Sequence, residues 1–216
     1  MSTERPRRAS AVAGPFRVGV VGRAGSGKTT VARALALGGA EVIDADALGH
    51  QVTDEDAEVR VALSAEYGAD VYGPGGLDRA RVAARVFRDP EARARLNQLV
   101  HPRILERIRR RFAALERSGF RGIVVVDAAL LLDWGLEREL DAVIAVTAPE
   151  QTQLERLLRS RGWTADEARR RLAVQRDDTR FAAAADVVLD NQGTPDELAR
   201  AALDAVTGLR ERAGLR

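Results

Sequence analysis

"VGVVGRAGSGKTT", residues Val18–Thr30, decides how the chain folds. Apolar, largely β-branched residues run into Gly22-Arg23-Ala24-Gly25-Ser26-Gly27-Lys28-Thr29, which fills every fixed position of the P-loop pattern G-x-x-x-x-G-K-[ST]. Phe16–Gly22 reads as a strand and Lys28–Leu37 as a helix, so the glycines fall in the strand-to-helix turn that the pattern requires. Such a turn lets backbone N–H groups point inward around an anion, and the helix start adds its partial positive charge. Lys28 is the only lysine; every other member of the 34 Lys+Arg set is arginine. A compact ammonium can follow the β- and γ-phosphates through a reaction, whereas a planar guanidinium fork fits a narrow nest poorly. The stretch predicts a triphosphate cradle lined by Gly22, Gly25, Ser26, Gly27, Lys28, Thr29 and Thr30. ATP is the expected co-substrate, with Mg²⁺ taken by the Thr29 hydroxyl.

Outward from this turn, further β-branched runs cover Ala40–Asp44, Gly122–Asp127, Asp141–Thr147 and Ala185–Asn191. Continuous apolar runs suit strands buried on both faces of a parallel sheet. Helical patterns lie at Ala57–Tyr67, Asp78–Phe87, Pro90–Leu115, Pro149–Arg161, Ala165–Gln175 and Pro195–Arg212. Thr164 with Glu167, and Thr194 with Glu197, have the spacing of capping boxes, and Pro195 sits where a first helical residue tolerates it. Strand–helix alternation predicts a three-layer α/β fold with a parallel sheet. The stretch from Ala47 to Gly119 carries no strand signal and reads as a helical insert.

Composition narrows the classes. A chain of 216 residues that is 45% hydrophobic and 31% charged can bury one sizeable core. The absence of cysteine excludes disulfides and thiolate metal sites. Basic and acidic residues nearly balance, at 34 and 32, and aromatics are only 4%, which argues against nucleic acid as a partner. No apolar run approaches membrane-spanning length, so no membrane partner and a cytoplasmic location are expected. Residues 1–15 read as a disordered tail.

Acids close the expected strands. Asp44 and Asp46 follow the second strand, where one of them can face a γ-phosphate and accept a hydroxyl proton or help hold Mg²⁺, or can cap a helix. On an extended chain their spacing of two would point them to opposite sides. Asp127 ends the third strand, in the place of an acid that meets Mg²⁺. Between Arg156 and Arg180 lie eight arginines, Arg156, Arg159, Arg161, Arg169, Arg170, Arg171, Arg176 and Arg180. A basic helical pair there could close over ATP, although most of these arginines should be solvated. His50 and His101 lack metal-ligand spacing with each other.

From about Phe16 to the last helix the sequence resembles the dephospho-coenzyme A kinases. The resemblance rests on the P-loop, on VIDADALGHQV (Val42–Val52), NQLVHPRI (Asn97–Ile104), DAALLLD (Asp127–Asp133) and ADVVLDNQGTPDEL (Ala185–Leu198). It implies a P-loop kinase core at 16–50, 120–155 and 183–212, a helical substrate-binding insert at about 51–119, and a helical lid at about 156–182. It also implies transfer of the ATP γ-phosphoryl group to the ribose 3′-hydroxyl of dephospho-CoA, by a monomer or weak homo-oligomer. By motif position Asp46 is the catalytic base, Lys28 the phosphate clamp and Thr29 a Mg²⁺ ligand. Arg161 is the expected lid catalyst, and Asn191 is expected beside the adenine. This chain departs from the family at Ala129, where Pro is usual, and at Asp133, where Glu is usual. It also departs at Ser160 and Phe181, where basic residues are common.

Overall fold

The computed structural model describes residues 14–86, 89–161, 164–173 and 177–215, with the side chains of Ser160, Arg161 and Arg171 outside that description. The chain divides into two compact units, one holding it up to Ile43 and again from Leu115, the other Asp44–Ala114. Each is built on different physics.

The first unit is a five-stranded sheet of β1 (Phe16–Val21), β2 (Glu41–Asp44), β5 (Ile123–Asp127), β6 (Ala142–Thr147) and β7 (Val187–Asp190). The strands lie in the order β2-β5-β1-β6-β7. Parallel pairing joins β1 to β5 with Val20 opposite Asp127, β1 to β6 with Val21 opposite Ala145, and β6 to β7 with Thr147 opposite Asp190. The central strand β1 is buried at all six positions; Val18–Val21 is apolar throughout, and the buried Arg17 donates from Nη2 to Glu116 Oε1 at 2.6 Å. On one face, α1 (Lys28–Leu37) and α9 (Pro195–Arg212) pack Val31, Leu35, Leu198, Ala202, Val206 and Leu209 against Val18, Val20, Ile144 and Val146. The α/β expectation holds, with a mostly parallel sheet.

After β6 come α6 (Glu150–Arg161), α7 (Ala165–Ala173) and α8 (Asp178–Ala184). The first two make a small core of Leu154, Leu157, Ala168 and Leu172, against which Ala24 of the P-loop packs. The separate helix α8 was not expected; its seven residues fall under the length that periodicity resolves. Phe181, where the resemblance leads one to expect a basic residue, is 3% exposed on the inner face of α8. A cation in that place would be desolvated.

Both capping boxes form. The Thr164 N–H donates to Glu167 Oε2 at 3.0 Å, and the Glu167 N–H donates back to Thr164 Oγ1 at 3.3 Å. Thr194 and Glu197 repeat the exchange at the head of α9, at 2.7 and 3.3 Å, with Pro195 at the first helical position. Thr194→Ala is expected to lower stability by about 1 kcal/mol. Urea denaturation should show a reduced midpoint at unchanged slope, and an unmoved midpoint would remove the cap from the account.

The second unit holds α2 (Ala45–Glu55), α3 (Ala57–Tyr67), α4 (Arg79–Val86) and most of α5 (Pro90–Arg117). It also corrects one expectation, because the 47–119 stretch is not strandless. Tyr72–Gly73 (β3) and Gly76–Leu77 (β4) form an antiparallel hairpin. Two residues per strand are too few to register a period, and Gly73-Pro74-Gly75-Gly76 reads simply as a loop. The hairpin is pinned from outside its own sequence. Asp54 on α2 accepts from the Leu77 N–H at 3.0 Å and from Arg79 at 2.5 Å, and the Tyr72 hydroxyl donates to the Thr53 carbonyl at 2.7 Å. Burial raises the proton affinity of Asp54, but these donors outweigh it and hold the carboxyl below the usual aspartate range. Among the described residues no helix is long and apolar enough to cross a membrane.

Candidate active site

Parallel pairing brings the carboxyl ends of β1, β5, β6 and β7 to one edge of the sheet, and the P-loop, Asp127 and Asn191 follow those ends. In open α/β sheets, ligands bind along this edge.

The loop itself has little freedom. Gly22, Gly25 and Gly27 all have positive φ, at 145°, 77° and 115°. Gly27 is the N-cap of α1 in the left-handed region, and a Cβ there would collide with Nδ2 of Asn191 and lie 2.9 Å from Leu198 Cδ2. No side chain caps α1 and no acid occupies its first turn. The partial positive charge of its N-terminus is therefore not neutralised locally. Lys28 is partly buried, and its Nζ donates to the Gly22 carbonyl at 2.9 Å and the Arg23 carbonyl at 3.0 Å. Thr29 is exposed at the same turn and Thr30 is partly buried. Asp127, partly buried, closes β5 beside Val20.

Ser26 and Asn191 support the loop from inside. Ser26 is fully buried, its N–H donates to the Arg23 carbonyl at 3.2 Å, and its Oγ is buried without a hydrogen-bond partner. Asn191 is 4% exposed and donates from Nδ2 to the Ser26 carbonyl at 2.7 Å, across 165 residues of sequence. Arg156 adds weaker bonds, from Nη1 to the Gly25 and Ser26 carbonyls at 3.3 and 3.4 Å and from Nη2 to Asn191 Oδ1 at 3.4 Å. Of the eight arginines in the 156–180 segment, Arg156 is thus a brace of the P-loop, whereas Arg159, Arg169 and Arg180 are exposed. The side chain of Arg161 lies outside the described residues, as does Arg176.

Sequence reasoning missed Arg23. Its side chain is only 12% exposed and turns away from the nest, donating to Glu150 Oε2 on α6 at 3.1 Å and to the Leu172 carbonyl on α7 at 3.0 Å. A loop residue with no fixed identity in the motif thus ties the loop to the helices after β6. Gln153 and Asp178, also missed, are joined at 3.2 Å.

In the second unit, Asp44 takes one of the two roles the sequence left open. Asp44 is the N-cap of α2, accepting from the Ala47 N–H at 3.0 Å. Asp46 is an exposed residue in the first helical turn, so the extended-chain spacing argument does not apply to it. His50 is exposed on the same helix. Ala129 and Asp133, on the loop after β5, are both exposed. Among the described residues no three His, Asp or Glu side chains gather as a metal cluster.

The dephospho-CoA kinase family model matches residues 16–197. The dephospho-CoA kinase of Thermobifida fusca is 42% identical over 184 residues, spanning 85% of this chain and 90% of its own. That of Deinococcus radiodurans is 44% identical over 191 residues, spanning 88% and 90%. Among solved structures, TT1252 from Thermus thermophilus superposes with a TM-score of 0.74 at 30% identity, covering 90% of this chain and 97% of that one. The chain belongs to the dephospho-CoA kinase family.

Proposed function

We propose that the chain transfers the γ-phosphoryl group of ATP to the ribose 3′-hydroxyl of dephospho-CoA, giving coenzyme A and ADP, the last step in making that cofactor. The observation that carries the reading is the braced P-loop, with the Lys28 ammonium held on its Gly22 and Arg23 carbonyls, in a chain of this family. In the reaction the 3′-oxygen forms a bond to Pγ, the bond from Pγ to the β–γ bridging oxygen breaks, and the hydroxyl proton leaves. Asp46 takes that proton. Lys28 exchanges its two loop carbonyls for phosphate oxygens and follows the charge as it moves to the leaving group. Asn191 and Arg156 act on ATP through the loop backbone that they hold.

The donor set suits Mg²⁺, which takes hard oxygens, commonly one or two carboxylates together with substrate phosphates and water. Thr29 and Asp127 would hold it, and it would supply neutralisation of the phosphate charge. The helices after β6 act as the lid, and Arg161 is the arginine we assign to the transferring phosphoryl group. The protein works in the cytoplasm, as a monomer or weak homo-oligomer.

The test is ADP release from ATP and Mg²⁺ with dephospho-CoA, set against nucleosides and nucleoside monophosphates as acceptors. ADP and coenzyme A should appear together, one for one, with dephospho-CoA alone. Turnover with a nucleoside but not with dephospho-CoA would overturn the reading.

A further inference from the structure

Asp178 is an acid that this chemistry leaves unused. It stands in the first turn of α8, behind Asp177, whose carboxylate caps the helix through the Arg180 N–H at 2.9 Å. Its Oδ2 accepts from Gln153 Nε2 at 3.2 Å, while its Oδ1 is buried with no hydrogen-bond donor. Gln153 is 0% exposed, is bonded to the Ala148 carbonyl at 2.6 Å, and has its own Oε1 buried without a donor. The backbone of this glutamine closes on the P-loop, since a Cβ at Gly25 would lie 2.6 Å from the Gln153 carbonyl oxygen. The Gln153–Asp178 pair is therefore seated directly behind the phosphate nest.

The charged groups that act on Asp178 are Arg23 and Lys28 of the loop, which favour its ionised form, and Asp177, which opposes it. Burial is the largest influence and holds the carboxyl above the ordinary aspartate range. An ionised carboxylate with one oxygen lacking a donor is costly, and Arg23, the Gln153 hydrogen bond and Lys28 offset only part of that cost.

We propose that Asp178 is an internal counter-charge of the phosphate nest, a positioning residue that balances Lys28 in the free protein and takes up a proton when a triphosphate claims that cation. The proposal rests on the ATP reading above. A triphosphate neutralises the Lys28 part of the field that favoured ionised Asp178 and adds like charge of its own. Linkage makes the effect reciprocal: if ATP raises the proton affinity of Asp178 by some factor, protonated Asp178 binds ATP more tightly by the same factor. The sign follows. As pH rises through the folded pKa, which lies above 3.8, Asp178 ionises and ATP affinity falls. An asparagine stays neutral and does not carry that fall.

Calorimetry of ATP binding decides the matter, with the wild type and Asp178→Asn compared from about pH 5 to pH 8 in two buffers of different ionisation enthalpy. The titration of ATP itself cancels in the difference between the proteins. The wild type should take up more protons per ATP bound than D178N. At the alkaline end D178N should bind ATP about threefold or more tightly, with KM for the acceptor unchanged. Asp178→Ser, read the same way, keeps the test decisive if the asparagine variant misfolds. Equal proton uptake in wild type and variant overturns the proposal alone, as does weaker ATP binding by the variants. A wild type that binds no ATP overturns the ATP reading and this proposal with it.

Discussion

Lys28→Arg should lose about a hundredfold or more in kcat/KM although the charge is kept, the scale expected for losing one well-placed transition-state donor. The reason lies in where the ammonium sits. Its Nζ is seated between two loop carbonyls, 2.9 and 3.0 Å away, at the base of a turn whose glycines leave almost no spare volume. A guanidinium carries its donors on a rigid planar fork and is wider than an ammonium. It either leaves the slot or pushes the loop off its braces at Ser26 and Gly25. Both outcomes displace charge from the transferring phosphoryl group. Thermal unfolding by circular dichroism should change little, because arginine and lysine have similar helix propensity and the position opens α1. A folded Lys28→Arg protein working within about threefold of wild type would remove the point-charge argument.

The loop was legible because its chemistry is contiguous. Eight adjacent residues specify the turn, the anion donors and the cation, and the strand and helix on either side are separately periodic. The β1, α1, α3 and α9 spans could be read for the same reason: each is long, and its caps or flanking glycines are adjacent in sequence. What holds the loop in place was not legible. The Asn191 amide reaches the Ser26 carbonyl from the far end of β7, and Arg23 reaches α6 and α7. No spacing rule links residues 165 apart. An asparagine after a strand, and an arginine in a variable motif position, each look like a solvated turn residue until the sheet order places β7 beside β6 and β6 beside β1. Among the eight arginines, charge alone could not separate Arg156, which bonds to the loop, from the exposed Arg159 one turn on.

The same distinction explains the paired acids after β2. Local sequence allowed Asp44 and Asp46 to exchange roles, because either residue type can cap a helix or take a proton. The cap geometry assigns Asp44 to the helix terminus and leaves the Asp46 carboxylate exposed one residue into α2. The extended-chain picture failed because the helix begins at Ala45, directly after the strand.

That assignment yields the second large effect. Asp46→Asn should lower kcat by about 10²- to 10⁴-fold, the range for removing a positioned general base, while ATP affinity measured without acceptor stays near wild type. Losing an acid from the first turn also weakens α2, but interaction with the helix dipole there contributes only about 0.3–1 kcal/mol. A 10²-fold loss corresponds to about 2.7 kcal/mol of barrier, so helix weakening cannot account for it. Asp44→Asn is the matched control, because asparagine caps a helix as well as aspartate does, and it should retain nearly all activity. Steady-state rates for both variants at saturating ATP and dephospho-CoA separate the roles. If D46N kept more than about a tenth of wild-type kcat, Asp46 would not be the base. If D44N fell as far as D46N, the two carboxylates would share the task, and the proton would pass through the helix cap.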